Sequence, residues 1–302
     1  NYNELEFHQF DSQTCKEFVM LDGRKPFSSS VLQEYISKIQ YKNLEKIMIF
    51  INKIAFNLGY ENGETIRIDS TKTETNIQHP TNNSLTYDCI KTASNIIEKL
   101  HEKHSDAWNK LELRREEAKK LNYELNNIKI KDAKKNEIKE KRKEKMKLLF
   151  EDYLSKLKEI HNELKEALKT DISKLSKSNQ KTLLNLDRQI DIVYKNAYKF
   201  QIEGKKIATE EKIFSIYEEH TDIISKGIRE IVFGHKINLA TGKSNMFLYC
   251  KVEKGNPSDT NLFEEPLKRI EGDYKEVKKN TKSAVTDGGY ASGDNLLSLI
   301  HI

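Results

Sequence analysis

Two carboxylates, Asp69 in IRIDST and Asp287 in AVTDGGY, each stand where a β-rich run gives way to polar or glycine-rich chain. In an open α/β sheet, side chains at the carboxyl ends of neighbouring strands converge on one crevice. Mg²⁺ prefers hard oxygen ligands and binds through one or two carboxylates plus substrate phosphate, so two acids from separate strands can begin a phosphoryl-transfer site. Two such ions about 4 Å apart would activate an attacking oxygen and stabilise the leaving one. Taken singly, each Asp has a plainer reading. Asp-Ser-Thr is a common turn or helix cap, and Asp-Gly-Gly a common tight turn, with Gly288 and Gly289 supplying close backbone approach or positive φ.

The elements that must position these acids can be read from periodicity. Residues 1 to about 60 read as helical. Ser30 with Gln33 suggests a capping box ahead of Val31, Leu32, Tyr35, Ile36 and Ile39. Leu44, Ile47, Met48, Ile51, Ile54, Ala55 and Leu58 recur at spacings of three and four, and Gly59 is placed to end that helix in a left-handed cap. This region reads either as a small DNA-binding domain or as a helical subdomain packed on its neighbour.

At Glu64 the pattern becomes a short strand that ends at Asp69, followed by a loop-like stretch rich in turn formers. From about Ser94 to Tyr198 the chain turns helical and polar. Leu154, Leu157, Ile160, Leu164, Ala167, Leu168, Ile172 and Leu175 keep a three-four spacing, which predicts an antiparallel helical hairpin or coiled coil turning near Ser176 to Asn179. The basic stretch from Lys131 to Lys147 would grip DNA phosphates, or else form the solvated outside of a long helix or a mobile tip. EKIFSIYE, GHKINLA and NMFLYCKVEKG read as strands, the last two joined by a hairpin at ATGKS; a helix with Asp259 near its start follows, then the Asp287 strand and another helix. The expected architecture is α/β with a helical insertion. Its parts are residues 1–60, a core of 61–93 and 206–302, and an insertion of 94–205.

Composition narrows the class. The chain has 302 residues, a formal net charge of +5 and 33% charged against 36% hydrophobic residues. A mean hydropathy of −0.75 and a pI near 8.7 suit extended, solvent-washed helix and a mild affinity for polyanions. Cys15, Cys89 and Cys250 lie far apart with no C-x-x-C pair, which indicates neither a disulfide framework nor a zinc knuckle and fits a reducing cytosol. No apolar run approaches the roughly 20 residues that cross a bilayer, and no membrane partner is expected. Asn1 and Ile302 do not read as natural termini, so a fragment is expected.

Ordered blocks then carry a resemblance. IRIDSTKTETNIQHPTNNSLTYD, HTDIISKG, FGHKINLATGKS, VEKGNPSDTNLF and VTDGGYAS follow one another as they do in the DDE transposases of bacterial insertion sequences. The resemblance covers residues 64 to 92 and 211 to 296 well and the N-terminal helices loosely. It implies a ribonuclease-H-like mixed sheet with a coiled-coil-like insertion after the first strand, and the strand of Asp69 lying beside and parallel to that of Asp287. Asp69 and Asp287 are then the first two members of the catalytic triad, binding Mg²⁺ or Mn²⁺, with two ions in the complete site. The third member, a Glu on a later helix, is expected beyond Ile302, which would leave this chain inactive on its own; Asp294 does not occupy that block.

His235 and Lys236 fall in the Gly-His-Lys block, where a cation would face DNA phosphate or a metal-bound carboxylate; a satisfied structural histidine is the rival reading. His79, Thr81 and Asn82 would contact the transposon end, or simply form the loop. The implied partners are transposon-end and target DNA, with a homo-oligomer in the synaptic complex, in the bacterial cytoplasm beside the nucleoid. Two other functions remain open on sequence: a non-catalytic DNA-binding or coiled-coil remnant of a transposase, and a nuclease of the same fold.

Overall fold

The computed structural model describes residues 2–130, 132, 135–170, 172–226 and 230–299. The chain divides into two compact units, one of residues 1–71, 237–253 and 257–302 and one of residues 72–236 and 254–256.

In the first unit, α1 (Tyr2–Asp11), α2 (Gln13–Phe18), α3 (Ser29–Ile36) and α4 (Tyr41–Asn57) precede the sheet. The cap of α3 is Ser28, whose Oγ accepts from the Val31 amide, and not Ser30 as the capping-box pattern suggested. The reason is that Glu6 takes the Ser29 amide in a 2.6 Å hydrogen bond, so the helix already begins there. Gly59 ends α4 with φ of +75°, the left-handed cap expected.

Among the described residues the sheet has five strands: β1 (Thr65–Glu74), β2 (Asp222–Lys226), β3 (Glu230–Thr241), β4 (Phe247–Glu253) and β5 (Ser283–Val285). Their order is β2-β3-β1-β5, with β4 also on β3. β1 and β5 are parallel, with Thr65 opposite Ser283, Ile66 opposite Ala284 and Arg67 opposite Val285, while β2 and β3 are antiparallel. The protein is therefore a mixed α/β fold with a mixed sheet.

Two sequence expectations change here. β1 does not end at Asp69 but continues to Glu74, and beyond it the Thr75 amide still bonds to the Phe233 carbonyl. EKIFSIYE is not a strand, because Ser215 Oγ accepts from the amides of Tyr217 and Glu218 and closes a turn there; the strand is the next segment, β2.

β1 alternates, burying Ile66, Ile68 and Ser70 while Arg67, Asp69 and Thr71 face outward. Ile66 and Ile68 join Leu248, Leu267, Ile270, Tyr274 and Tyr290 in one core, closed by α9 (Glu264–Asp273) and α10 (Lys275–Asn280). α4 docks by Asn52, whose amide donates 2.8 Å hydrogen bonds to the Phe247 carbonyl and the Tyr274 hydroxyl. The buried Glu61 carboxylate fastens the β3–β4 turn, accepting from the Ser244 amide at 3.0 Å and from the Ser244 hydroxyl. Gly242 in that turn has no room for a side chain, since a Cβ would lie 2.2 Å from Glu61 Oε2. After β5 the chain ends in α11 (Gly293–Leu299); residues 300–302, where the final helix was expected to run on, lie outside the described residues.

The second unit holds α5 (Asn82–Ile97), α6 (Asp106–Asn127), α7 (Asn136–Thr170) and α8 (Lys177–Ala197). Of the loop-like stretch expected over Thr73–Asp88, the part from Asn82 onward is thus helix. Thr81 Oγ1 accepts from the Ser84 amide at 3.0 Å while Ser84 Oγ accepts from the Thr81 amide at 2.9 Å, and this reciprocal cap starts α5.

The expected turn near Ser176 joins α7 to α8, with Ser176 Oγ accepting from the Asn179 amide, but α5 and α6 pack on that pair in one core: Ile90 and Ile97 from α5, Leu111 and Ala118 from α6, Leu157 and Ile160 from α7, Leu186 and Ile190 from α8. Within the basic stretch, Asn136 to Lys147 forms the exposed start of α7, whereas Lys131, Ala133 and Lys134 lie outside the described residues. No helix among the described residues is long and apolar enough to cross a membrane.

Candidate functional site

The parallel pairing of β1 with β5 decides where the two acids stand. Asp69 and Asp287 each lie two residues past the last paired partners, Arg67 and Val285, and both side chains are exposed. Asp69 Oδ1 accepts from the Ser70 amide at 2.7 Å. Asp287 caps the short 3₁₀ turn Gly288–Tyr290, accepting from the Gly289 amide at 2.9 Å. One oxygen of each carboxylate is thereby held by a backbone amide.

A third carboxylate joins them. Ser70, on the inward face of β1, donates from Oγ to Asp259 Oδ1 at 2.7 Å. A Cβ built on Gly289 would sit 3.1 Å from Asp287 Oδ1 and 3.3 Å from Asp259 Oδ2, so both acids reach the same point. Neither glycine has positive φ, and Gly288 has open space around it, so of the expected roles only close approach holds, and only at Gly289. What Gly289 supplies is room for two carboxylates.

Tyr290 forms the floor. Its side chain is 1% exposed and its hydroxyl has no hydrogen bond of normal geometry. Burial pushes the phenol well above its ordinary range, against the neighbouring Ser70 hydroxyl, and the charges of Asp259, Asp69 and Asp287 push it further. All three acids therefore lie within electrostatic reach of one neutral phenol. The sequence reading had given Asp259 only a helix-start role; the block NPSDTNLF was the available signal for more.

No family model, no curated protein and no solved structure matches this chain. The site must be judged on its own geometry. Among the described residues no group of three or more His, Cys, Asp or Glu side chains is arranged to hold a metal ion. What the described residues offer is two exposed carboxylates, Asp69 on β1 and Asp287 just beyond the end of the neighbouring β5, an all-oxygen donor pair of the kind Mg²⁺ completes with water and phosphate.

The remaining expected site residues belong to the second unit. Thr81 and Asn82 form the cap and first position of α5, and with Leu85, Phe200, Phe214 and Phe233 they line a cavity of about 360 Å³. His79 is exposed, its ring edge-on to Phe233 with centroids 5.2 Å apart. His235 Nε2 lies 2.9 Å from His220 Nδ1, so the two imidazoles share one hydrogen bond. Lys236 is 8% exposed, which removes it from the protein surface.

Proposed function

We propose that the protein is a DDE-type DNA transposase whose catalytic unit is ribonuclease-H-like, with Asp69 and Asp287 as two of its catalytic acids. The observation that carries this reading is that two aspartates 218 residues apart in sequence each stand two residues past the last pair of the parallel β1–β5 ladder, as the ordered sequence blocks require. The run β4-β3-β1-β5, with the insertion leaving between β1 and β2, supports the same architecture.

In this mechanism Asp69 and Asp287 would hold Mg²⁺ or Mn²⁺, which when bound activates the attacking oxygen and neutralises charge on the leaving one. The chain's own part is orientation. The Ser70 and Gly289 amides each hold one oxygen of the Asp69 and Asp287 carboxylates, and Ser70 ties Asp259 to the strand that carries Asp69. Hydrolysis at the transposon end would free a 3′-hydroxyl, which then attacks target DNA without a covalent protein intermediate.

The test is cleavage and strand joining by the complete protein on DNA bearing its own terminal repeats, with Mg²⁺ or Mn²⁺. Joined products are expected, which a simple nuclease would not give. Undiminished cleavage by a protein carrying both Asp69→Asn and Asp287→Asn would refute the assignment.

A further inference from the structure

His220 and His235 come together from two elements that are each fixed elsewhere. The Thr221 amide bonds to the Glu218 carbonyl at 3.0 Å and closes the turn that carries His220. Glu219 in the same turn accepts hydrogen bonds from Arg188 and Gln189, which pin the turn to α8. His235 stands on β3 next to the buried Lys236, and alternation along the strand turns the imidazole to the other side. The two rings therefore meet because their backbones are held, with His220 Nδ1 2.9 Å from His235 Nε2 and the ring centroids 5.0 Å apart.

The outer nitrogen of His220 is also engaged. Its Nε2 lies 2.9 Å from Glu218 Oε2, and an ionised carboxylate can only accept, so that nitrogen carries the hydrogen. In a neutral imidazole the lone pair then sits on Nδ1, the atom facing His235. A histidine whose far N–H is held by a carboxylate, leaving its other nitrogen free to donate an electron pair, is how proteins prepare an imidazole for a metal ion. The spacing agrees. Two nitrogens bonded to one ion at about 2.0–2.1 Å stand roughly 2.9 Å apart at a right angle and about 3.4 Å apart at the tetrahedral angle.

A plain hydrogen bond between the rings would hold little. The His220 and Glu218 side chains are 63% and 45% exposed, so water competes for every one of these contacts.

We propose that His220 Nδ1 and His235 Nε2 form a binding site for a divalent transition-metal ion of the zinc, nickel or copper kind, with Glu218 as the carboxylate behind His220. On binding, the hydrogen of His235 moves by way of solvent from Nε2 to Nδ1, so both lone pairs reach the ion and no net proton is lost. Two ligands are fewer than a closed structural site has; water fills the remaining positions and the ion exchanges readily. The ion fastens the Glu218–Thr221 turn to β3. Imidazole nitrogen suits these ions whereas Mg²⁺ and Mn²⁺ favour oxygen, so the site is chemically separate from Asp69 and Asp287, and its fate does not depend on theirs.

The test is calorimetric titration of the full chain with Ni²⁺, in the presence of millimolar Mg²⁺ to occupy oxygen sites. The strongest Ni²⁺ site should have a stoichiometry of about one. Removing either ligand, by His220→Gln or His235→Gln, should weaken it by about a hundredfold or more, and Glu218→Ala by about tenfold, the range seen when an outer partner is lost. His8→Gln, on the exposed face of α1, should bind as the parent does. Ni²⁺ should raise the melting temperature of the parent and leave those of the two ligand variants unchanged. His220 is exposed, so its variant should fold even where the His235 variant does not. Parent affinity in the His220→Gln variant, or a loss on one histidine substitution but not on the other when both fold, overturns the proposal.

Discussion

Ser70 Oγ donates a 2.7 Å hydrogen bond to Asp259 Oδ1, joining positions 189 residues apart. The bond is part-buried, and its donor immediately follows Asp69 on β1. Replacing Ser70 with Ala leaves the Asp259 carboxylate without this donor. A loss of about 1 to 3 kcal/mol is expected, since hydrogen bonds to charged groups are worth more than neutral ones. In a chain of this size that corresponds to a fall in melting temperature of about 2 to 4 °C per kcal/mol, measurable by calorimetry.

Asp69→Asn and Asp287→Asn should each abolish weak Mn²⁺ binding, followed by spin-resonance titration, and in the complete protein lower DNA cleavage by at least about a hundredfold. Both side chains are exposed, so folding should be nearly unchanged, with stability within about 0.5 kcal/mol of the parent. Gly289→Ala makes a finer probe. Its methyl would press on Asp287 Oδ1 and Asp259 Oδ2, so Mn²⁺ affinity should fall, while Gly288→Ala, with nothing within 4 Å, should behave as the parent. Identical titrations for the two glycine variants would separate Asp259 from the site.

Glu61 gives a pH signature. Burial pushes its carboxyl up, but hydrogen bonds from the Ser244 hydroxyl and from the Gly63, Ser244 and Asn62 amides outweigh that and hold it below the ordinary 4.5. A carboxylate depressed in the folded state contributes stability that is present above its unfolded value and drains away as pH falls through the folded one. Glu61→Gln should therefore be less stable than the parent at neutral pH, and the two melting curves should converge as pH drops below 4.5. Parallel curves throughout would contradict the assignment.

Gly234→Ala should be among the most damaging single changes in the sheet. A Cβ there would lie 1.9 Å from the Thr73 carbonyl oxygen and 2.8 Å from its carbon, and backbone has nowhere to retreat. Loss of soluble expression is the expected outcome; a soluble variant melting near the parent would show that β3 can shift.

The acid pair was legible in the sequence because local chemistry marks it. Ile66 and Ile68 alternate with Arg67 and Asp69, and Asp-Gly-Gly punctuates the end of β5. Asp259 was not, because its partner Ser70 is distant in the chain and serine carries no periodic signature. Residues 81 to 88 misled for a different reason. Thr, Asn and Ser favour turns and helix caps alike, and only the reciprocal Thr81–Ser84 bonds decide for a cap. The contribution of α5 to the bundle was hidden because much of what it buries is small or polar, with Thr86, Cys89, Ala93 and Ser94 fully enclosed yet weak as markers of an apolar face. The strand assigned to residues 211–218 had the right alternation, and a single hydroxyl, that of Ser215, turned the chain instead.

β5 meets β1 over three residues, Ser283 to Val285 against Thr65 to Arg67, and that short ladder alone sets the level of Asp287. A ribosome must therefore synthesise nearly all of this chain before the two aspartates can face one another, and a nascent polypeptide released early carries only one of them. Closing so long a loop is also slow, because its entropy is lost before the contact rewards it. On the proposed transposase reading, a polypeptide that stops short of β5 would hold only one of the two acids and could not yet cut DNA nearby.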